Sequence, residues 1–322
     1  MQLKIKTWIS AMRLRTLPLA ISGVLMGSAL ANLNGIDGKS SITLLALLTA
    51  ICLQIISNLA NDYGDFKKGT DNNNRIGNTR ALQSGNITSK EMMVLIFLFV
   101  GMSLFFGLWL LNDAMEGNFN LAFLLFLFLG IAAIVSAVKY TVGKNAYGYS
   151  GFGDLFVFVF FGLVSVFGVY LLHKKLIFDW SLDKYILLPA IAIGLLSTAV
   201  LNTNNIRDVD NDKASSKNTL VVKLGVNNAR MYHWLLLLGA LFCMFVFVTL
   251  NYFHFVQFLS FLGFVPIIMQ AYKVQTTDPS PLYNIYLKQL SLSTLLFVIL
   301  FIVFQTVSLF IVGYKVLQQL PS

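Results

Sequence analysis

A chain of 322 residues that is 57% hydrophobic and 11% charged cannot cover a water-facing surface, because a soluble domain carries about 25% charged residues. Its net charge of +9 does not point to nucleic acid: Lys and Arg cluster between long apolar runs, and no basic stripe interleaved with aromatics forms a soluble module. The fold class left is all-α, a polytopic transmembrane helical bundle whose solvent and partner is the lipid bilayer, since continuous apolar runs exclude a strand-based barrel.

A spanning helix needs about 20 mostly apolar residues. The segment Met1 to Ser10 carries Lys4 and Lys6 without a following small-residue cleavage site, so no removable signal peptide is expected. Nine spans are then predicted, the first five near Leu14–Ala31, Ile42–Ala60, Met93–Leu111, Asn120–Val138 and Asp154–Leu172. The others lie near Tyr185–Leu201, Tyr232–Leu250, Phe253–Gln270 and Ser291–Gly313, the seventh and eighth forming a tight hairpin. Residues 1–322 read as a single transmembrane domain. Cys52 and Cys243 both fall inside apolar runs and read as core. With the N-terminus inside, 18 of the 23 Lys and Arg lie in inside segments, which the positive-inside rule favours.

Six of the 14 acids sit in two short stretches where the second and sixth spans reach the same side. The first runs Asn58-Leu-Ala-Asn61-Asp62-Tyr-Gly-Asp65 and on to Asp71; the second runs Asn204-Asn-Ile-Arg207-Asp208-Val-Asp210-Asn-Asp212 and on to Lys217. Residues three and four apart share a helix face, so Asn58, Asn61, Asp62 and Asp65 form one polar patch and Asn204, Asp208 and Asp212 another. Asp210 points off that second face. Carboxylates this close repel unless a cation lies between them, and a hard cation with oxygen ligands, Mg²⁺ above all, resolves the conflict. The bland alternative is a pair of solvated helix ends; the repeated Asn-x3-Asp at membrane depth argues against it. Four intervening spans put both stretches on one side, as a parallel internal repeat would.

Lys67, Lys68, Arg75, Arg80, Arg207, Lys213 and Lys217 are interleaved with the acids. A divalent-cation transporter gains nothing from positive charge at its site, whereas a diphosphate held between two metal clusters gains neutralisation on every oxygen. No Gly-rich Lys-Ser/Thr loop supports nucleotide hydrolysis.

At these residues the chain resembles the UbiA superfamily of membrane prenyltransferases over its whole length. The matching stretches are Arg13-Leu-Arg-Thr-Leu-Pro18, Asn61-Asp-Tyr-Gly-Asp-Phe-Lys-Lys-Gly-Thr-Asp71, Tyr147-Gly-Tyr-Ser-Gly-Phe-Gly-Asp154, and Asn204-Asn-Ile-Arg-Asp208 through Lys217-Asn-Thr-Leu220. It departs from the family pattern at Gly64, where a bulky residue is common, and at Ser216, where Gly commonly precedes the Lys. Within the superfamily it is most similar to enzymes that prenylate 1,4-dihydroxy-2-naphthoate in menaquinone synthesis. The resemblance implies a nine-helix bundle with a central cavity capped by cytoplasmic loops, in a bacterial cytoplasmic (inner) membrane. It implies a polyprenyl diphosphate donor, an aromatic acceptor, and release of diphosphate and CO₂. Asp62, Asp65, Asp71, Asp208 and Asp212 would hold Mg²⁺, with Asn61 and Asn204 beside them. Arg75, Lys139, Arg207, Lys213 and Lys217 are candidates for the diphosphate, and Tyr140, Tyr147 and Asp154 for the acceptor side. Another aromatic acceptor such as 4-hydroxybenzoate is the competing expectation. His173, His233 and His254 are not placed for catalysis.

Overall fold

The computed structural model describes residues 2–318 apart from 37, 73–75, 77–78 and 176, and among these it is all-helical. A short helix α1 (Gln2–Met12) leads into Arg13, whose backbone is left-handed at φ 49° and ψ 57°; one 3-10 turn then opens α2 (Leu17–Leu33) with Pro18 in its first turn. α3 (Ser40–Lys67) has 28 residues, about 42 Å at 1.5 Å per residue, so its polar last turns outrun the roughly 30 Å hydrocarbon layer. α4 (Ser89–Ala114) starts at a capping box in which Thr88 and Glu91 satisfy each other's backbone N–H. α5 (Leu121–Lys139) is capped by Asn120, whose side chain accepts from the Phe123 N–H.

α6 (Gly153–His173) is π-helical over Phe158–Gly168. α7 (Leu187–Arg207) ends at Asp208, and the chain resumes as α8 (Val209–Ala214). α9 (Val226–Leu250), a 3-10 run Phe255–Phe264 continuing as α10 (Val265–Thr276), and α11 (Tyr283–Gln318) complete the bundle. Nine helical segments among the described residues are long and apolar enough to cross a membrane, the number expected, and the chain is a multi-pass membrane protein. Their ends differ from expectation. The first begins at Lys4, ten residues before Leu14, because α1 joins it; the last begins at Tyr283 instead of Ser291. Hydropathy finds the apolar middle of a helix and misses its polar turns.

α7 lies at the centre. Its Ile193, Leu196 and Ala199 pack with Met26 and Leu30 of α2, Leu237 and Met244 of α9, and Phe297 and Phe301 of α11. Lipid is as apolar as Leu, so close approach and dispersion hold such helices together. Where α6 crosses α7, a Cβ on Gly162 would stand 2.7 Å from the Gly194 Cα and 2.5 Å from the Ala190 carbonyl oxygen. Only glycine fits. α5 is the opposite case: Phe123 is its one buried residue, packed with Leu110 and Leu111 of α4. α2, α3, α6 and α7 surround a space that α4 and α5 also line.

Candidate active site

The space is a long cavity. Asp65, Arg80, Asp208, Asp212 and Lys217 line one end, and Ala46, Leu110, Phe126 and Leu172 the other. Asp65 and Ala46 lie 19 residues apart on α3, so the cavity follows that helix for about 28 Å. Its walls are apolar over most of this length, with Leu104 and Gly107 from α4, Ile131 and Ala133 from α5, and Phe160 and Phe161 from α6.

On α3 the predicted polar face divides. Asn58 lines the cavity while its polar atoms hold structure: its amide donates to the Met12 carbonyl at 2.9 Å and to Thr16 Oγ1 at 3.2 Å, and its Oδ1 accepts from Gln54 at 3.3 Å. Asn61 lines the cavity, and its Oδ1 is buried with no hydrogen-bond partner. Asp62 is absent from the cavity wall; it is buried between two guanidinium groups, in direct contact with Arg13 and 3.4 Å from Arg80. Asp65 does face the cavity, accepting from the Tyr149 hydroxyl at 2.8 Å and from Lys217 Nζ at 3.3 Å. Asp71 is buried with Oδ1 3.7 Å from Arg80 Nε. Arg75 lies outside the described residues.

On the other arm Asn204, Asp208 and Asp212 share the cavity wall across the break between α7 and α8, as the spacing predicts. Arg207 is fully buried and does not line the cavity. It donates to Asp208 Oδ1 at 2.8 Å, to Asn204 Oδ1 at 2.8 Å and to Asn284 Oδ1 at 2.7 Å, so it aims the carboxylate. Lys217 lies between the arms, 3.8 Å from Asp212 as well as 3.3 Å from Asp65. Burial would lower its pKa, but Asp65 and Asp212 outweigh burial and hold it above the ordinary lysine value. Asp210 and Lys213 are exposed, and neither lines the cavity.

The connection after α5 covers this end. Tyr140 is buried in the wall, and Tyr147 beside it donates to the Ser136 carbonyl at 2.8 Å and stacks on Phe156 with ring centroids 3.9 Å apart. Burial raises the pKa of both phenols, so they are neutral donors at neutral pH and not bases. Lys139 is exposed and outside the wall. Asp154 is buried against the Tyr232 hydroxyl and is likewise not among the lining residues. Three residues not predicted as site residues belong to this end: Arg13, Arg80 and Tyr149. Tyr149 lies within the Tyr147–Asp154 stretch, and Arg13 opens the Arg13–Pro18 stretch, so the sequence signal for both lies in the motifs themselves.

The donor set suits a hard cation: Asp65, Asp208 and Asp212 bring carboxylates to one cavity end, and the orphaned Asn61 Oδ1 adds a neutral oxygen. Among the described residues no three His, Cys, Asp or Glu side chains converge into a cage, so most of a metal's ligands at this end would come from the substrate's phosphates.

The sequence profile of the UbiA prenyltransferase family matches residues 20–295. A 1,4-dihydroxy-2-naphthoate octaprenyltransferase of Haemophilus influenzae is 44% identical over 302 residues, covering 92% of this chain and 95% of its own. A UbiA homolog from Aeropyrum pernix, solved without ligand, superposes with a TM-score of 0.65 at 15% identity, over 92% of this chain and 97% of that one. One from Archaeoglobus fulgidus, solved with DMAPP and Mg²⁺, gives 0.55 at 16%, over 91% and 99%.

Proposed function

The chain belongs to the UbiA prenyltransferase family, and we propose that it transfers a polyprenyl group from an allylic diphosphate to 1,4-dihydroxy-2-naphthoate, releasing diphosphate and CO₂ and giving demethylmenaquinol. The acceptor is the one named for the Haemophilus influenzae relative, which matches at 44% identity over nearly both chains. The observation that carries the chemistry is the polarity of the cavity, with carboxylates and cations at one end and an apolar trough of about 28 Å behind them. A polyprenyl diphosphate has the same polarity, a charged head on a long hydrocarbon tail.

Asp65, Asp208 and Asp212 would hold Mg²⁺, which supplies neutralisation of the charge that develops on the departing diphosphate. Lys217 and Arg80 add positive charge at the same end. The C–O bond to the allylic carbon breaks, its electron pair leaving with the diphosphate. Phe160, Phe161 and Leu201 wall that carbon from water, which would otherwise capture the allylic cation. Tyr140 and Tyr147 flank the acceptor side. A ring carbon made electron-rich by the acceptor hydroxyls forms the new C–C bond, and the carboxylate on that carbon departs as CO₂, its bonding pair restoring the aromatic ring. The site end faces the cytoplasm, where the basic loops lie, in a bacterial cytoplasmic membrane.

Purified protein given carboxyl-labelled 1,4-dihydroxy-2-naphthoate, farnesyl diphosphate and Mg²⁺ is expected to yield a prenylated naphthoquinol without the label. A product that keeps its carboxyl, or a preference for 4-hydroxybenzoate, would overturn the acceptor while leaving the prenyl transfer.

A further inference from the structure

Asp65 and Asp212 belong to different arms of the site, and one ammonium satisfies both. Lys217 is 6% exposed, with Nζ 3.3 Å from Asp65 Oδ2 and 3.8 Å from Asp212 Oδ1. The other groups about it are the Tyr149 ring, 5.3 Å from Nζ, the Tyr140 phenol and the Lys68 ammonium, itself 3.7 Å from the Tyr149 ring. Its backbone is anchored. The Lys217 N–H donates to the Asp212 carbonyl at 2.8 Å, and the next residue, Asn218, donates to the Tyr149 carbonyl at 3.1 Å. Ser216 before it takes the left-handed φ of 56°, which turns the chain so that the side chain enters the cavity.

The contrast with Arg207 matters. Arg207 is clamped by Asp208, Asn204 and Asn284 and has no freedom to leave. Lys217 has a flexible four-carbon stem, and its head is held by ion pairs without a fixed fork. Two facing carboxylates need a cation, and in the absence of metal this ammonium supplies it. A divalent ion approaching Asp65 and Asp212 meets that charge first.

We propose that Lys217 is a resident counter-ion that keeps divalent metal out of the site until a diphosphate arrives, then moves onto the diphosphate oxygens and yields Asp65 and Asp212 to the metal. The role rests on the diphosphate site proposed above. It makes metal and diphosphate binding mutually dependent, each raising the affinity of the other by the same factor. The enzyme then never carries an exposed metal that could bind an unwanted anion.

The test is equilibrium dialysis of Mn²⁺ against the purified full chain in nanodiscs, with and without inorganic pyrophosphate. Wild-type protein is expected to bind Mn²⁺ weakly alone and tightly with pyrophosphate. Lys217→Met should bind Mn²⁺ without pyrophosphate at least about tenfold more tightly than wild type, the effect of losing one like charge near the metal. Lys217→Gln gives a second neutral replacement should the first fail to fold, and Lys217→Arg, which keeps the charge, should stay weak. A residue needed only for folding would lose metal binding in all three. No gain in either neutral variant, with wild type still binding Mn²⁺ and pyrophosphate together, would sink the counter-ion role alone. Wild type that takes up no Mn²⁺ even with pyrophosphate would overturn the diphosphate site and this role with it.

Discussion

Arg207 and Asp208 are chain neighbours whose side chains close a two-toothed ion pair across the break between α7 and α8, Nε to Oδ1 at 2.8 Å and Nη2 to Oδ2 at 2.5 Å. The pair is buried, and Arg207 reaches on to Asn284 of α11. Lysine cannot reproduce such a fork. Arg207→Lys is expected to lower kcat/KM about 10- to 100-fold and raise the Mg²⁺ concentration for half-maximal rate, as losses of residues that orient metal ligands do. Steady-state rates across a Mg²⁺ titration check it; an unchanged Mg²⁺ requirement would show that Asp208 needs no aiming.

Asp65→Asn and Asp208→Asn each keep shape and delete a carboxylate that faces the cavity. Each should cost about 10²-fold or more in kcat, the scale seen when one preorganised electrostatic group is removed. The protein should still accumulate in membranes. Near-normal turnover of Asp208→Asn at limiting Mg²⁺ would rule out a site shared by both arms.

Asp62→Asn should fail differently. It leaves Arg13 and Arg80 buried with one charged partner fewer, and breaking a buried pair costs about 3–5 kcal/mol. A lowered melting temperature alongside lost activity is expected, where Asp65→Asn, which leaves Lys217 its pair with Asp212, loses activity with a smaller shift. Melting curves of the two variants in one detergent decide it.

Gly64 brings α3 against the connection after α5: a Cβ there would stand 2.5 Å from Thr141 Oγ1 and 2.7 Å from the Thr141 carbonyl carbon. Thr141 in turn donates to the Ala60 carbonyl at 2.9 Å. Gly64→Ala should destabilise by about 1–3 kcal/mol, the usual cost of overpacking, and raise the acceptor KM by displacing Tyr140. At Ser216 the sign reverses. Its left-handed backbone costs a side chain about 1–2 kcal/mol, so Ser216→Gly should hold or raise the melting temperature and Ser216→Val should lower it.

Orientation is checked with cysteines. Lys213 and Lys175 are both exposed and belong to opposite ends of the bundle. Lys213→Cys should react with an impermeant thiol reagent only from the cytoplasmic side, Lys175→Cys only from outside. Labelling of both from one side would break the topology.

The spans were legible because about 20 apolar residues in a row have few other uses. α1 was not, since eleven residues of mixed character fall below any span threshold. The acids were legible as a repeated i, i+4 pattern, yet Asp62 and Asp65 share that pattern and have different partners. Three residues on a helix turn through about 300°, and only the packing of α1 and the loop bearing Arg80 determines which carboxylate is covered. Lys139 and Lys213 carry the right charge and stand beside the candidate motifs in sequence. Both side chains take water instead, the cheaper place for an unpaired ammonium. Tyr147 and Tyr149, two residues apart, look alike in sequence, and only the fold sets the Tyr149 hydroxyl on Asp65.

α5 contributes to the cavity wall while burying a single residue of its own. Part of the reaction chamber is therefore a partition one helix thick with acyl chains pressing on its far side. Membrane thickness and lateral pressure act on that partition directly, so turnover should change with acyl-chain length in reconstituted vesicles even when substrate supply does not. A detergent micelle, which exerts a different pressure, removes a wall support that no side chain replaces.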